Sequence, residues 1–158
     1  MKLLSVFAFV AFALDQVSKY LVIHVMGVSP LNPIDVMPPL LRFRYGENRG
    51  INLGLFGDGV SVWFLIVIAL AICVGVLYWV MRHPQPRLAK AGAGLLIGGA
   101  LANVFDRLIY GYVLDFLNMS CCGINNPFVF NVADIFIFAG ALGLVFFGHD
   151  PKALKKGT

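Results

Sequence analysis

Charge is the scarcest resource in this sequence. Only 13% of its 158 residues are Asp, Glu, Lys or Arg, against about 25% in an ordinary soluble domain. Hydrophobic residues make up 59%, and the mean hydropathy is +0.85. That balance excludes a disordered chain and argues against a plain soluble enzyme. Cysteine is nearly as scarce. Cys73 lies inside an apolar run, and Cys121 and Cys122 are adjacent, which suits neither an ordinary disulfide nor a CxxC site. The three histidines, His24, His83 and His149, are far apart and show no ligand spacing, so neither a metal nor another cofactor is expected. The net charge of +4 comes without a basic helix or face, so nucleic acid is not an expected partner. No internal repeat or low-complexity tract is visible.

What the chain does have is apolar runs of membrane length. They cover about residues 3–26, 60–81, 91–110 and 132–148, each near the ~20 residues that cross a bilayer. The fourth is slightly short, and Phe128-Val-Phe is expected to extend it. The expected fold class is an all-α membrane protein of four transmembrane helices, forming one integral-membrane domain over residues 1–158. Lys2, the 82–90 loop and the tail lie on one side of such a protein and hold seven of the twelve basic residues. Both termini are therefore expected in the cytoplasm, with residues 27–59 and 110–131 outside. The start of the chain also has features of a cleaved signal peptide, with Lys2, an apolar stretch and Ala11-Phe-Ala13. Its apolar run resumes after Lys19, however, and removing it would place the basic tail on the wrong side, so a retained span is expected. In the first outer loop, Leu40-Leu-Arg-Phe-Arg-Tyr alternates like a short strand between proline-rich turns, predicting a small extracytoplasmic sheet on the membrane surface.

The eight acids are unevenly placed. Asp35, Glu47, Asp58 and Asp150 fall in loops or the tail, whereas Asp15, Asp106, Asp115 and Asp134 fall in or beside spans, all near the outer rim. Charges held at such depth pair with each other or do chemistry. Some have local explanations. Asp15 and Lys19 are spaced i, i+4 and can neutralise each other. Asn103, Asp106 and Arg107 share one face, and Asp106 with Arg107 can serve as an interfacial anchor. Asn131 and Asp134 resemble a helix cap with an acid in the first turn. Asp115 follows a short turn-like stretch, sits between Leu114 and Phe116, and has no such local partner. Antiparallel third and fourth spans can bring Asp115 and Asp134 to one water pocket. Two close carboxylates share a proton, providing one general base and one general acid. A proton-coupled carrier can use the same acids, but neither symmetric halves nor broken helices are evident.

The run from Gly98 through Asn103, Asp106-Arg107, Gly111 and Val113 to Asp115-Phe116 resembles the hallmark of lipoprotein signal peptidase (signal peptidase II), an aspartyl peptidase family. Phe130-Asn131-Val-Ala133-Asp134-Ile135 resembles its second hallmark. Leu14-Asp15-Gln-Val-Ser18-Lys19 and Asn48-Arg-Gly50 resemble its first-helix and outer-loop motifs, and all four occur in the family's order. The resemblance implies that Asp115 and Asp134 are catalytic. It implies that Asn48, Gly50, Asn103, Arg107 and Asn131 support the dyad or bind substrate, and that Asp15 and Lys19 form a pair holding the site together. It also implies lipidated prolipoprotein substrates, cut on the amino side of the lipidated cysteine at the outer face of the bacterial cytoplasmic (inner) membrane. Contact with membrane lipid, inhibition by globomycin and action as a monomer are expected with it. One departure is that Ile51-Asn52-Leu53 stands where the family usually has Ala-Ala-Phe. That keeps open a paralogue, or a non-catalytic relative binding lipoproteins or a membrane complex. Phe43, Tyr45 and Phe56 are expected to clamp over substrate, and Cys121-Cys122 has no assigned role.

Overall fold

The structure is a computed structural model that describes residues 1–50, 61–120 and 126–148. The Ile51-Asn52-Leu53 departure, Phe56, Cys121-Cys122 and the basic tail lie outside the described residues. Helix α1 (Lys2–Lys19) continues into a π-helical segment, Tyr20–Val25. Strands β1 (Ile34–Met37) and β2 (Leu41–Asn48) precede helix α2 (Val62–Arg82). Helix α3 (Arg87–Tyr110), strand β3 (Val113–Met119) and helix α4 (Val132–Phe147) complete the order. Three helical stretches, Lys2–Val25, Val62–Arg82 and Arg87–Tyr110, are long and apolar enough to cross a membrane. Helix α4 is equally apolar but has 16 residues, about 24 Å at 1.5 Å per residue.

Helix α3 is the hub, and its small residues explain why. A side chain on Gly94 or Gly98 would meet the α1 backbone at Leu4 and Ala8. One on Gly92 or Gly99 would meet the α4 backbone at Gly140 and Ala133. Glycine on opposite sides of one helix thus lets two neighbours approach at backbone contact, the usual packing device where lipid removes any hydrophobic drive between helices. The pairings make α1 parallel to α3 and α4 antiparallel to it. Leu4, Cys73, Val80, Ala93, Leu96, Ile97 and Ala100 form the interhelical core. Large side chains such as Phe9, Phe64, Val74, Phe138 and Phe146 point outward, the arrangement of helices solvated by lipid.

The strands form one antiparallel sheet, ordered β1-β2-β3, at the end of the bundle where α1 and α3 finish and α4 begins. The expected β2 is present. Strand β3 replaces the turn-like stretch expected before Asp115. Its first four residues are all buried, so it lacks the alternation that marks a strand with one wet face. Gly111, at φ 80°, ends α3 in the left-handed conformation and starts the reversal into β3. Val22, Val28 and Phe116 form a second core beneath the sheet, with Phe43 stacked edge-on against Phe116.

Two further expectations are corrected. Phe128-Val-Phe does not extend the fourth helix. Phe130 is extended and exchanges backbone hydrogen bonds with Leu117, which ties this segment to β3. Helix α3 begins at Arg87, so Arg87 and Lys90 lie in its first turn and not in a loop.

Candidate active site

Each polar side chain is delivered by the end of an element. Asp115 projects from β3, opposite Gly46 in the β2–β3 register. Asn131 caps α4: its Oδ1 accepts from the Asp134 backbone N–H at 2.9 Å, and Asp134 Oδ2 accepts from the Asn131 N–H at 3.3 Å. This capping box satisfies two otherwise orphaned donors and fixes both side chains. The local cap read from the sequence is therefore present, and its residues also reach beyond α4. Asn131 Nδ2 donates to Asp115 Oδ1 at 2.6 Å and to Asn103 Oδ1 at 3.2 Å. Asn103 Nδ2 in turn donates to Asp134 Oδ1 at 3.0 Å. Two asparagines thus connect the two aspartates through a continuous hydrogen-bonded path.

Asp115 is 3% exposed. Burial, and after it the negative charge of Asp134, raise its pKa to about 7. Hydrogen bonds from Asn131 and Asn48, with the charge of Lys19, act in the opposite direction. Asn48 therefore joins the site from β2. Arg107 lies half-buried beside Asp134 and Asp115. Its Nη1 donates to the Asn103 carbonyl at 3.2 Å, and its Nε has no hydrogen-bond partner among the described residues. A cavity of about 310 Å³ opens onto Asp115, lined by Gly46–Gly50 and Pro127–Val129. Gly50 lies there at φ 104°. Beside the cavity, Glu47 pairs with Arg49 at 2.7 Å, and Arg49 stacks over Tyr112. Hydrogen bonding to Arg49 holds the Glu47 carboxyl below its usual range. Tyr45 donates to, or accepts from, Tyr112 at 3.1 Å, while Phe43 packs beneath the sheet. A larger hollow, about 480 Å³, lies around Pro30, Pro39 and Arg44 and is not lined by either aspartate.

Beneath the aspartates lies a buried ion cluster. Lys19 Nζ is 2.6 Å from Asp15 and 2.7 Å from Asp106, and all three side chains are nearly or fully buried. The sequence pairing of Asp15 with Lys19 is present but incomplete without Asp106. Asp106 does not group with Arg107 as an interfacial anchor. One residue apart on α3, the two side chains diverge, Asp106 to Lys19 and Arg107 toward the dyad. Both carboxylates of the cluster also grip the backbone. Asp15 Oδ1 accepts from Ala133 N–H at 2.8 Å, and Asp106 Oδ2 accepts from Leu114 N–H at 3.1 Å. Ala133 immediately precedes Asp134, and Leu114 immediately precedes Asp115. One lysine therefore joins two carboxylates that each hold the segment bearing one aspartate. The signal for Asp106 in the sequence was its burial depth alone, because its partners are distant in the chain.

Taken together, apolar helices with lipid-facing side chains and a carboxylate pair under a surface sheet define a multi-pass membrane protein with an enzyme-like polar centre. The sequence profile of signal peptidase (SPase) II matches residues 7–148. The lipoprotein signal peptidase of Symbiobacterium thermophilum is 36% identical, aligned over 97% of each chain. That of Methylorubrum extorquens is 38% identical, over 92% of this chain and 85% of its own. A bacterial membrane enzyme of known structure superposes with a TM-score of 0.76 at 26% identity, covering 97% of this chain and 92% of its own. The chain belongs to the signal peptidase II family, a protease family of bacterial multi-pass membrane proteins.

Proposed function

We propose that this protein removes signal peptides from diacylglyceryl-modified prolipoproteins as an aspartyl endopeptidase, with Asp115 and Asp134 as the catalytic pair. The observation that carries this reading is the hydrogen-bonded path Asp115–Asn131–Asn103–Asp134, which holds two carboxylates in one buried polar cluster. Two such groups retain one proton between them near neutral pH. The ionised member takes a proton from water as the water oxygen attacks the scissile carbonyl carbon. The protonated member then gives its proton to the leaving nitrogen as the C–N bond breaks. The products are the signal peptide's carboxylate and the free amine of the lipidated cysteine.

The remaining residues take supporting roles in this reading. Asn103 and Asn131 orient the dyad, Asn48 contacts both Asp115 and substrate, and Gly50 shapes the cavity wall. Arg107, with an uncommitted Nε, binds the substrate backbone and globomycin. Asp15, Lys19 and Asp106 hold the two aspartate segments. The four helices form a single-domain monomer spanning the cytoplasmic membrane with both termini inside. The sheet and site then lie at the outer face, where lipid-anchored substrate enters sideways and water is available. The distribution of Lys and Arg supports this orientation, and 16 residues of α4 with its extended lead-in suffice where the bilayer thins locally.

The test is cleavage of a lipidated prolipoprotein by the purified protein. Cutting before the lipidated cysteine, blocked by globomycin and absent from Asp115→Asn and Asp134→Asn, is the expected result. Undiminished turnover in both variants would refute the dyad.

A further inference from the structure

At the end of the helices away from the sheet, a cavity of about 440 Å³ is lined by Met1, Val80, Met81, Arg82, His83, Pro84 and Lys90. Its walls divide by chemistry: Val80 and Met81 are apolar, while Arg82, His83 and Lys90 bring nitrogen donors. Arg82 is preset, because its guanidinium stacks over the Tyr78 ring at 5.5 Å and Nε donates to the Tyr78 hydroxyl at 3.3 Å. That leaves its other N–H groups for a ligand. Lys90 is half-buried in the first turn of α3, where the helix dipole opposes a cation, so helix stability does not account for it. Neither Arg82 nor Lys90 has a carboxylate partner among the described residues. An exposed apolar strip, Val74, Tyr78 and Met81, runs from the cavity along α2.

We propose that this cavity is a binding site for the phosphodiester headgroup of an anionic phospholipid, whose acyl chains lie along α2. Basic pockets at helix ends are the usual recognition device for such headgroups. Selection against zwitterionic lipids follows from the same residues, since no described carboxylate faces the cavity to receive a choline or ethanolamine ammonium. The site lies at the opposite end of the bundle from the aspartates, so it serves to anchor and orient the protein and takes no part in the proposed cleavage.

The test is native mass spectrometry of the delipidated full chain in detergent, titrated with phosphatidylglycerol or phosphatidylcholine of matched chains. Phosphatidylglycerol should bind roughly thirtyfold more tightly, as expected for two basic contacts near a headgroup. R82Q/K90Q should lose most of that preference, R82K/K90R should retain it, and R42Q/R44Q at the sheet end should leave it unchanged. Equal binding of the two lipids by the unmodified protein would overturn the proposal without recourse to any variant. So would a preference that survives R82Q/K90Q or disappears in R42Q/R44Q. Loss of the preference in millimolar inorganic phosphate would assign the cavity to a small free anion instead. Lipid binding and prolipoprotein cleavage are read separately, so either can fail alone.

Discussion

At the scale of single residues, Asp115 shows most directly how environment makes chemistry. Its pKa of about 7 reflects burial in β3 and the neighbouring charge of Asp134. A carboxyl that titrates there holds a proton under conditions where an ordinary aspartate has lost it. Asp115→Asn and Asp134→Asn should each lower the cleavage rate by about 10²–10⁴-fold or more, the usual contribution of a general acid or base. The far-ultraviolet circular dichroism of both variants should match the unmodified protein. Cleavage should also decline as pH rises past about 7, when the pair loses its shared proton. Stability follows the same group. Because the folded value lies above the ordinary 3.8, the folded state binds more protons between the two values. The stabilisation is fully present below the lower value and is lost as pH rises through the higher. Thermal unfolding in micelles should show that decline in the unmodified protein and a shallower one in Asp115→Asn. Equal slopes would remove the assignment.

Elements are held by groups that no single element contains. Asp15 lies on α1 and Asp106 on α3, yet their carboxylates grip Ala133 at the start of α4 and Leu114 at the start of β3. Lys19→Met should leave two buried acids without their cation, costing about 3–5 kcal/mol and lowering the unfolding temperature. Cleavage by the fraction that remains folded should also fall, because both aspartate segments lose an anchor. Asp106→Asn separates these effects. An amide can still accept from Leu114 N–H but gives up the ion pair, so it should retain more activity than Asp106→Ala. Equal activity of the two variants would count against the anchoring role. Packing between helices is equally exacting. A methyl on Gly98 would run into the Ala8 backbone, so Gly98→Ala should destabilise by about 1–3 kcal/mol, measured by unfolding in the same micelles.

For the whole molecule, the question is how the bundle sits in its membrane. Single cysteines placed in a cysteine-free background provide the test. Leu31→Cys, beside the sheet, should react with an impermeant maleimide in spheroplasts. Pro84→Cys, in the α2–α3 turn, should react only after the membrane is opened. The reverse pattern would invert the proposed orientation. Much of this architecture was readable from the chain. Apolar runs of span length locate the helices because each must bury or lipid-solvate a continuous length of backbone. The basic residues at their ends supply the expected orientation, and the motifs around Asp15, Asn103, Asp115 and Asp134 supply the family. Strand β3 was hidden by burial on both faces, which erases the period of two. Phe128-Val-Phe was misassigned because an extended segment and a helical one are equally apolar over three residues. The role of Asp106 was hidden because no local pattern reports a contact with Gln16, Lys19 or Leu114 across the bundle. The sequence alone therefore determined membrane residence, the apolar helical runs and the family, since these follow from hydropathy and residue type along the chain. Only the tertiary structure decided which acids face each other, which share a lysine and which segments they hold. Those outcomes depend on directions and distances that arise when glycine-lined helices pack backbone to backbone.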